Sequence, residues 1–134
     1  MIRRIAIAIL VVAACVLAIV ATGASPGGDG KHYSVVFDNA FGLTEGGDLR
    51  VGGVRAGETT TFGLTNTDPV RSIVNFKITE PGFDSLRTAA TCAIRQQSLI
   101  GEYFVDCQPG SDSQELPEGA TIPVEHTESI IPLD

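Results

Sequence analysis

The sequence predicts an all-β domain of about seven short strands, closed into a small sandwich or barrel and preceded by one apolar N-terminal helix. Three observations carry this. Ile5 to Ala21 contains no charged residue and follows Arg3-Arg4. From Tyr33 onward apolar residues recur at every second position in short runs, the period of a half-buried strand. Each run is closed by a turn signal: Gly46-Gly47, Gly52-Gly53, Asp68-Pro69, Pro81-Gly82, Pro109-Gly110 and Pro117-Glu118-Gly119. No helical period survives beyond the first segment. The 134 residues allow one domain, and the part after the apolar run is small enough to be marginal without extra support.

The first segment, residues 1–24, reads as a membrane anchor or signal segment. As a helix, Ile5 to Ala21 spans roughly 25 Å, and roughly 30 Å with Thr22, Gly23 and Ala24 included, about the thickness of a bilayer core. Arg3 and Arg4 predict a cytoplasmic N-terminus and a single-pass topology that leaves the rest outside the cytoplasm. A retained anchor, a cleaved signal ending at Thr22-Gly23-Ala24 and a lipoprotein with its lipobox at Val12-Ala13-Ala14-Cys15 all stay open. Each places the remainder outside the cytoplasm. Residues 25–32, from Ser25-Pro26-Gly27-Gly28 on, have the composition of a flexible linker.

The strands are expected in residues 33–127. Tyr33–Phe37 alternates with Tyr33, Val35 and Phe37 on one face. Leu49–Val51 is a short second strand, and Thr59–Leu64 a Thr-rich third. Ile73–Thr79 places Val74, Phe76 and Ile78 against the core. Thr91–Arg95 turns Cys92 and Ile94 inward, and Tyr103–Cys107 groups Tyr103, Val105 and Cys107. Thr121–Val124 closes the set, with Pro123 marking it as an edge.

Removing Arg3 and Arg4 leaves seven bases against 16 acids, so the exported part carries a net −9. Such a surface repels phosphates and anionic head groups, which argues against nucleic acid as a partner and supports solubility. Cys92 and Cys107 lie in the exported part, where a disulfide is plausible; two buried thiols on neighbouring strands are the other reading. Cys15 reads as a small apolar residue of the membrane stretch. Gly23-Ala24-Ser25-Pro26-Gly27 has the letters of a nucleophile elbow without its strand–turn–helix context. The glycines between Gly46 and Gly57 have no Gly-Lys-Ser/Thr ending and read as turn residues. His32, His126, and the acids Glu115, Glu118, Glu125 and Glu128 read as solvated. No triad, carboxylate dyad or metal constellation assembles, so the chain is read as a non-enzyme without cofactor.

Three segments point further: Phe37-Asp38-Asn39-Ala40-Phe41-Gly42-Leu43, the glycine–valine stretch Val51 to Gly57, and Ser98-Leu99-Ile100-Gly101-Glu102-Tyr103-Phe104-Val105, followed by Leu116 to Ile122. In this order and spacing they resemble the MCE (MlaD-like) lipid-transport protein family. The resemblance covers about Tyr33 to Thr127. It implies a small seven-stranded MCE-type β-barrel and assembly of six copies, alike or mixed, around a hydrophobic pore. It further implies phospholipid, fatty acid or sterol as the bound lipid, and the permease and ATPase subunits of an ABC system as partners in the membrane. By position it makes Leu99 and Ile100 the pore-loop pair and Gly42, Gly53, Gly57 and Gly101 structural turn glycines. The alternative for Leu99 and Ile100 is burial in the chain's own core. The sequence departs from the family in its polar Thr59-Thr60-Thr61 and at residues 128–134, where a helical C-terminal region would begin. The rival from another class is a cell-surface adhesion or structural envelope module. Genes for a permease and an ATPase beside this one would favour transport.

Overall fold

A computed structural model describes residues 1–21 and 30–130. Most of the expected linker, the Gly23–Gly27 letters and residues 131–134 lie outside the described residues. The first element is helix α1, Ile2–Ala21, whose side chains are described as far as Cys15 and are all exposed. Among the described residues no helix is long and apolar enough to cross a membrane.

The rest is one sheet. Its strands are β1 (Lys31–Phe37), β2 (Asp48–Val51), β3 (Val54–Leu64), β4 (Ser72–Ile78), β5 (Thr91–Gln96), β6 (Tyr103–Gln108), β7 (Thr121–Ile122) and β8 (Thr127–Glu128). They follow the order β7-β1-β4-β3-β2-β6-β5-β8. The pairs β1/β4, β3/β4, β2/β3 and β5/β6 are antiparallel, while β1/β7, β2/β6 and β5/β8 are parallel. The two edge strands are joined by Pro123 and a single 3₁₀ turn, Val124–His126, so one continuous segment straps the first edge to the last. Thr127 Oγ1 stands 2.9 Å from the Val36 carbonyl and 2.8 Å from that of Val124, tying the strap back to β1. The result is a nearly closed barrel, which removes the exposed edges an open sheet would present.

Among the described residues eight strands form where seven were expected. The extra one, β8, has two residues, too few for alternation to be visible. β3 is eleven residues long instead of six, because pairing with β2 holds Val54 to Glu58 extended despite Gly57. β7 stops at Ile122 instead of Val124, since Pro123 has no N–H for a ladder. It does lie at an edge of the sheet.

Every second residue of β1 and β4 points inward, and the barrel interior is filled by side chains. Tyr33, Phe37, Leu49, Phe76, Leu86 and Ile122 are among its largest members. The outer face is polar: Ser34 Oγ donates to Asn75 Oδ1 at 2.6 Å, and Asn75 Nδ2 donates to Thr61 Oγ1 at 3.0 Å. Thr59 faces inward and is buried, yet satisfied, since its hydroxyl donates to the Thr44 carbonyl at 2.7 Å and accepts from the Gly47 N–H at 3.0 Å.

The two ends of the barrel differ. At the end where β1 starts, the segments after β4 and β6 fold over the core and drive Leu86 and Ala90 into it. The Leu116 N–H donates to the Leu86 carbonyl at 2.8 Å, and the backbones of Arg87 and Glu115 pair in an isolated antiparallel β-bridge. Lys31 Nζ meets Glu115 at 3.1 Å and Asp84 at 3.9 Å. Tyr33 Oη donates to the Asp84 carbonyl, and burial pushes its phenol above the ordinary range. The register of the ladders places the β1–β2, β3–β4 and β5–β6 loops at the opposite end, away from the point where the chain arrives from α1.

Candidate functional site

β5 and β6 form a regular hairpin, paired from Thr91 with Gln108 to Gln96 with Tyr103. Residues 97–102 make its tip. The Gln97 N–H donates to the Glu102 carbonyl at 2.6 Å, and the Gly101 N–H donates to the Ser98 carbonyl at 3.3 Å. Ser98 to Gly101 is thus one hydrogen-bonded turn with Leu99 and Ile100 at its two central positions. Those positions are farthest from the ladder, so both side chains project outward: Leu99 is 101% exposed and Ile100 88%. The reading in which a single chain tucks them into its own core is not what this fold does.

The turn is braced. Gln96 Nε2 donates to the Ser98 carbonyl at 2.7 Å, and Gly101 sits at φ +92°, a conformation costly for any residue with a Cβ. Among the described residues Ser98 Oγ has no hydrogen-bond partner. Lower in the hairpin Cys92 and Cys107, directly opposite in the ladder, form a disulfide with their Cα atoms 4.1 Å apart. Both are buried, and the reading as two free thiols is excluded. Cys15, on α1, is a free cysteine.

The other glycines singled out from the sequence lie elsewhere. Gly42 is in the β1–β2 loop and Gly53 in the β2–β3 turn, both with positive φ. Gly57 is not a turn residue: it lies inside β3, where a Cβ would run into the Lys77 carbonyl of β4. Pattern alone could not separate a glycine needed for its dihedrals from one needed for its smallness.

Sequence reasoning missed other exposed apolar side chains at the same end. Leu64 and Val70 flank the β3–β4 loop, and Phe41 lies in the β1–β2 loop. Leu64 carries the β3 alternation past the rim, a signal visible in the sequence only once the strand's length is known. Among the described residues no group of three or more His, Cys, Asp or Glu could hold a metal ion.

Residues 29–110 match the family model described as MlaD protein. Among solved structures, the chain is similar to one in the Acinetobacter MlaFEDB complex in its ATP-bound Vtrans1 conformation. The TM-score is 0.66 and the identity 18%, covering 97% of this chain and 94% of that one. No curated protein matches the chain.

Proposed function

The chain belongs to the MlaD protein family, and from that premise we propose that it is a membrane-anchored, extracytoplasmic lipid-binding component of an ABC-type lipid transport system. Several copies form a ring, pool their Leu99 and Ile100 side chains into an apolar collar, and work beside a permease and an ATPase. The similar chain in the Acinetobacter MlaFEDB complex, seen in an ATP-bound conformation, supports a part in an ATP-driven assembly. The ATP chemistry belongs to the partners, and this chain makes and breaks no bond.

The observation that carries the reading is the pair of fully exposed aliphatic side chains on a braced turn. The barrel interior is filled, so an acyl chain has no place inside one copy and contact falls to the surface. Fully burying each such side chain is worth about 1.5–3 kcal/mol, and several copies sharing their tips recover that energy together with a lipid tail.

The anchor rests on α1 and its sequence. Its described side chains include the exposed Ile2, Ile5, Ile7, Ile9, Leu10, Val11 and Val12. From Ile5 to Cys15 the sequence is apolar all round, the pattern of a helix set in apolar surroundings. With α1 in the inner membrane and Arg3-Arg4 on the cytoplasmic side, the barrel lies outside the cytoplasm, with its hairpin tip at the end opposite the start of β1.

The test is the double variant Leu99→Asp with Ile100→Asp, extracted from membranes and analysed by mass spectrometry for bound lipid. The expected result is loss of co-purified lipid with the thermal transition of the barrel kept. Lipid retained at the level of the unaltered protein would rule out the tip as the binding element.

A further inference from the structure

We propose that Phe41, Gly42 and Tyr103 form a clamp on the root of the tip, with Gly42 and Tyr103 as positioning residues and Phe41 as an additional lipid-contacting side chain. The inference rests on the tip being the lipid-binding element.

Tyr103 is the first residue of β6 and forms, with Gln96, the last pair of the ladder before the turn. Its orientation therefore bears directly on where Leu99 and Ile100 point. The ring is partly buried against the core, and two neighbouring residues of the β1–β2 loop press on it as well. Gly42, at φ +79°, comes so close that a Cβ there would occupy the space of the Tyr103 ring carbons. Phe41 meets the same ring edge-on, with centroids 5.8 Å apart and planes at 72°, an arrangement favoured by the quadrupoles of the two rings. Phe41 remains 49% exposed on its other side. It thus adds apolar surface next to the tip.

A clamp holds only if its own loop is fixed, and this one is. The Phe41 N–H donates to Asn39 Oδ1 at 3.2 Å and the Leu43 N–H to the Ala40 carbonyl at 3.2 Å. Asp38 pairs with Arg71 at 3.0 Å, and the Gly46 N–H donates to the Thr59 carbonyl at 2.8 Å. Ala40 and Leu43 pack against the core. Between this loop and the tip root runs a groove of about 420 Å³ lined by Gly42, Thr44, Gly101 and Tyr103 among others. Without the clamp, that groove leaves the root unsupported on one side. The ladder and the disulfide do not depend on the Tyr103 ring, so its removal loosens the tip while the hairpin persists.

The experiment uses the full chain extracted from membranes, with bound lipid measured by mass spectrometry and amide exchange read at Gln97 and Gly101, the two N–H groups bonded within the tip. Tyr103→Phe keeps the ring and is expected to match the unaltered protein. Tyr103→Ala and Gly42→Ala are expected to lower bound lipid roughly two- to tenfold and to speed exchange at Gln97 and Gly101, while Val105 and Cys107 stay protected. Phe41→Ala changes an exposed side chain and is expected to lower bound lipid with the fold unaffected. Unchanged lipid in Phe41→Ala and Gly42→Ala, or unchanged exchange in Gly42→Ala, overturns the clamp. The Leu99→Asp/Ile100→Asp variant separates the two failures. If it too keeps its lipid, the tip is not the site; if it alone loses lipid, only the clamp is wrong.

Discussion

A Cβ at position 57 would occupy the space of the Lys77 carbonyl where β3 passes β4. An alanine there must push two hydrogen-bonded strands apart. Gly57→Ala is therefore expected to destabilise the barrel by about 1–3 kcal/mol, the usual range for overpacking, seen as a lower urea midpoint at unchanged slope. The same position shows what a single residue conceals in the sequence. Gly57 reads there as one more turn glycine, because close approach of another strand is a fact of tertiary structure. Thr59 reads as a polar oddity, yet its hydroxyl is satisfied by a loop fifteen residues away. Leu99 and Ile100 were legible as an apolar pair on a loop, but their exposure was not, since a buried pair would have the same letters.

Elements were legible where alternation had room to repeat. β1 and β4 show their inward faces plainly, and Val35, Phe37, Val74, Phe76 and Ile78 are buried as expected. β8 was not legible, because two residues carry no period and its place depends on the strap that joins β7 to β5. The β5–β6 hairpin lies between these cases. Its strands are clear in the sequence, while the pairing of Cys92 with Cys107 needed the register to decide it. β5 has β6 on one side and only the two-residue β8 on the other, so the disulfide secures the strand beside the seam. Replacing both cysteines by alanine is expected to cost about 3 kcal/mol, measured by equilibrium unfolding under non-reducing conditions. A variant as stable as the parent would show that the ladder alone holds the seam.

For the whole molecule, the arrangement of the ends matters more than the barrel between them. One end is plugged by Leu86 and Ala90 and receives the chain from α1; the other presents Leu99, Ile100, Leu64, Val70 and Phe41 to solvent. The strongly acidic part of the chain after residue 24 does not bring these side chains to an anionic membrane surface by charge. In the proposed function, lipid tails and the tips of neighbouring copies supply the apolar surroundings these side chains need. The most direct measurement places a benzophenone side chain at position 99 of the membrane-embedded protein and identifies what it captures on irradiation. Adducts to lipid, together with cross-links between copies, are the predicted result. A single chain carrying neither would contradict the account.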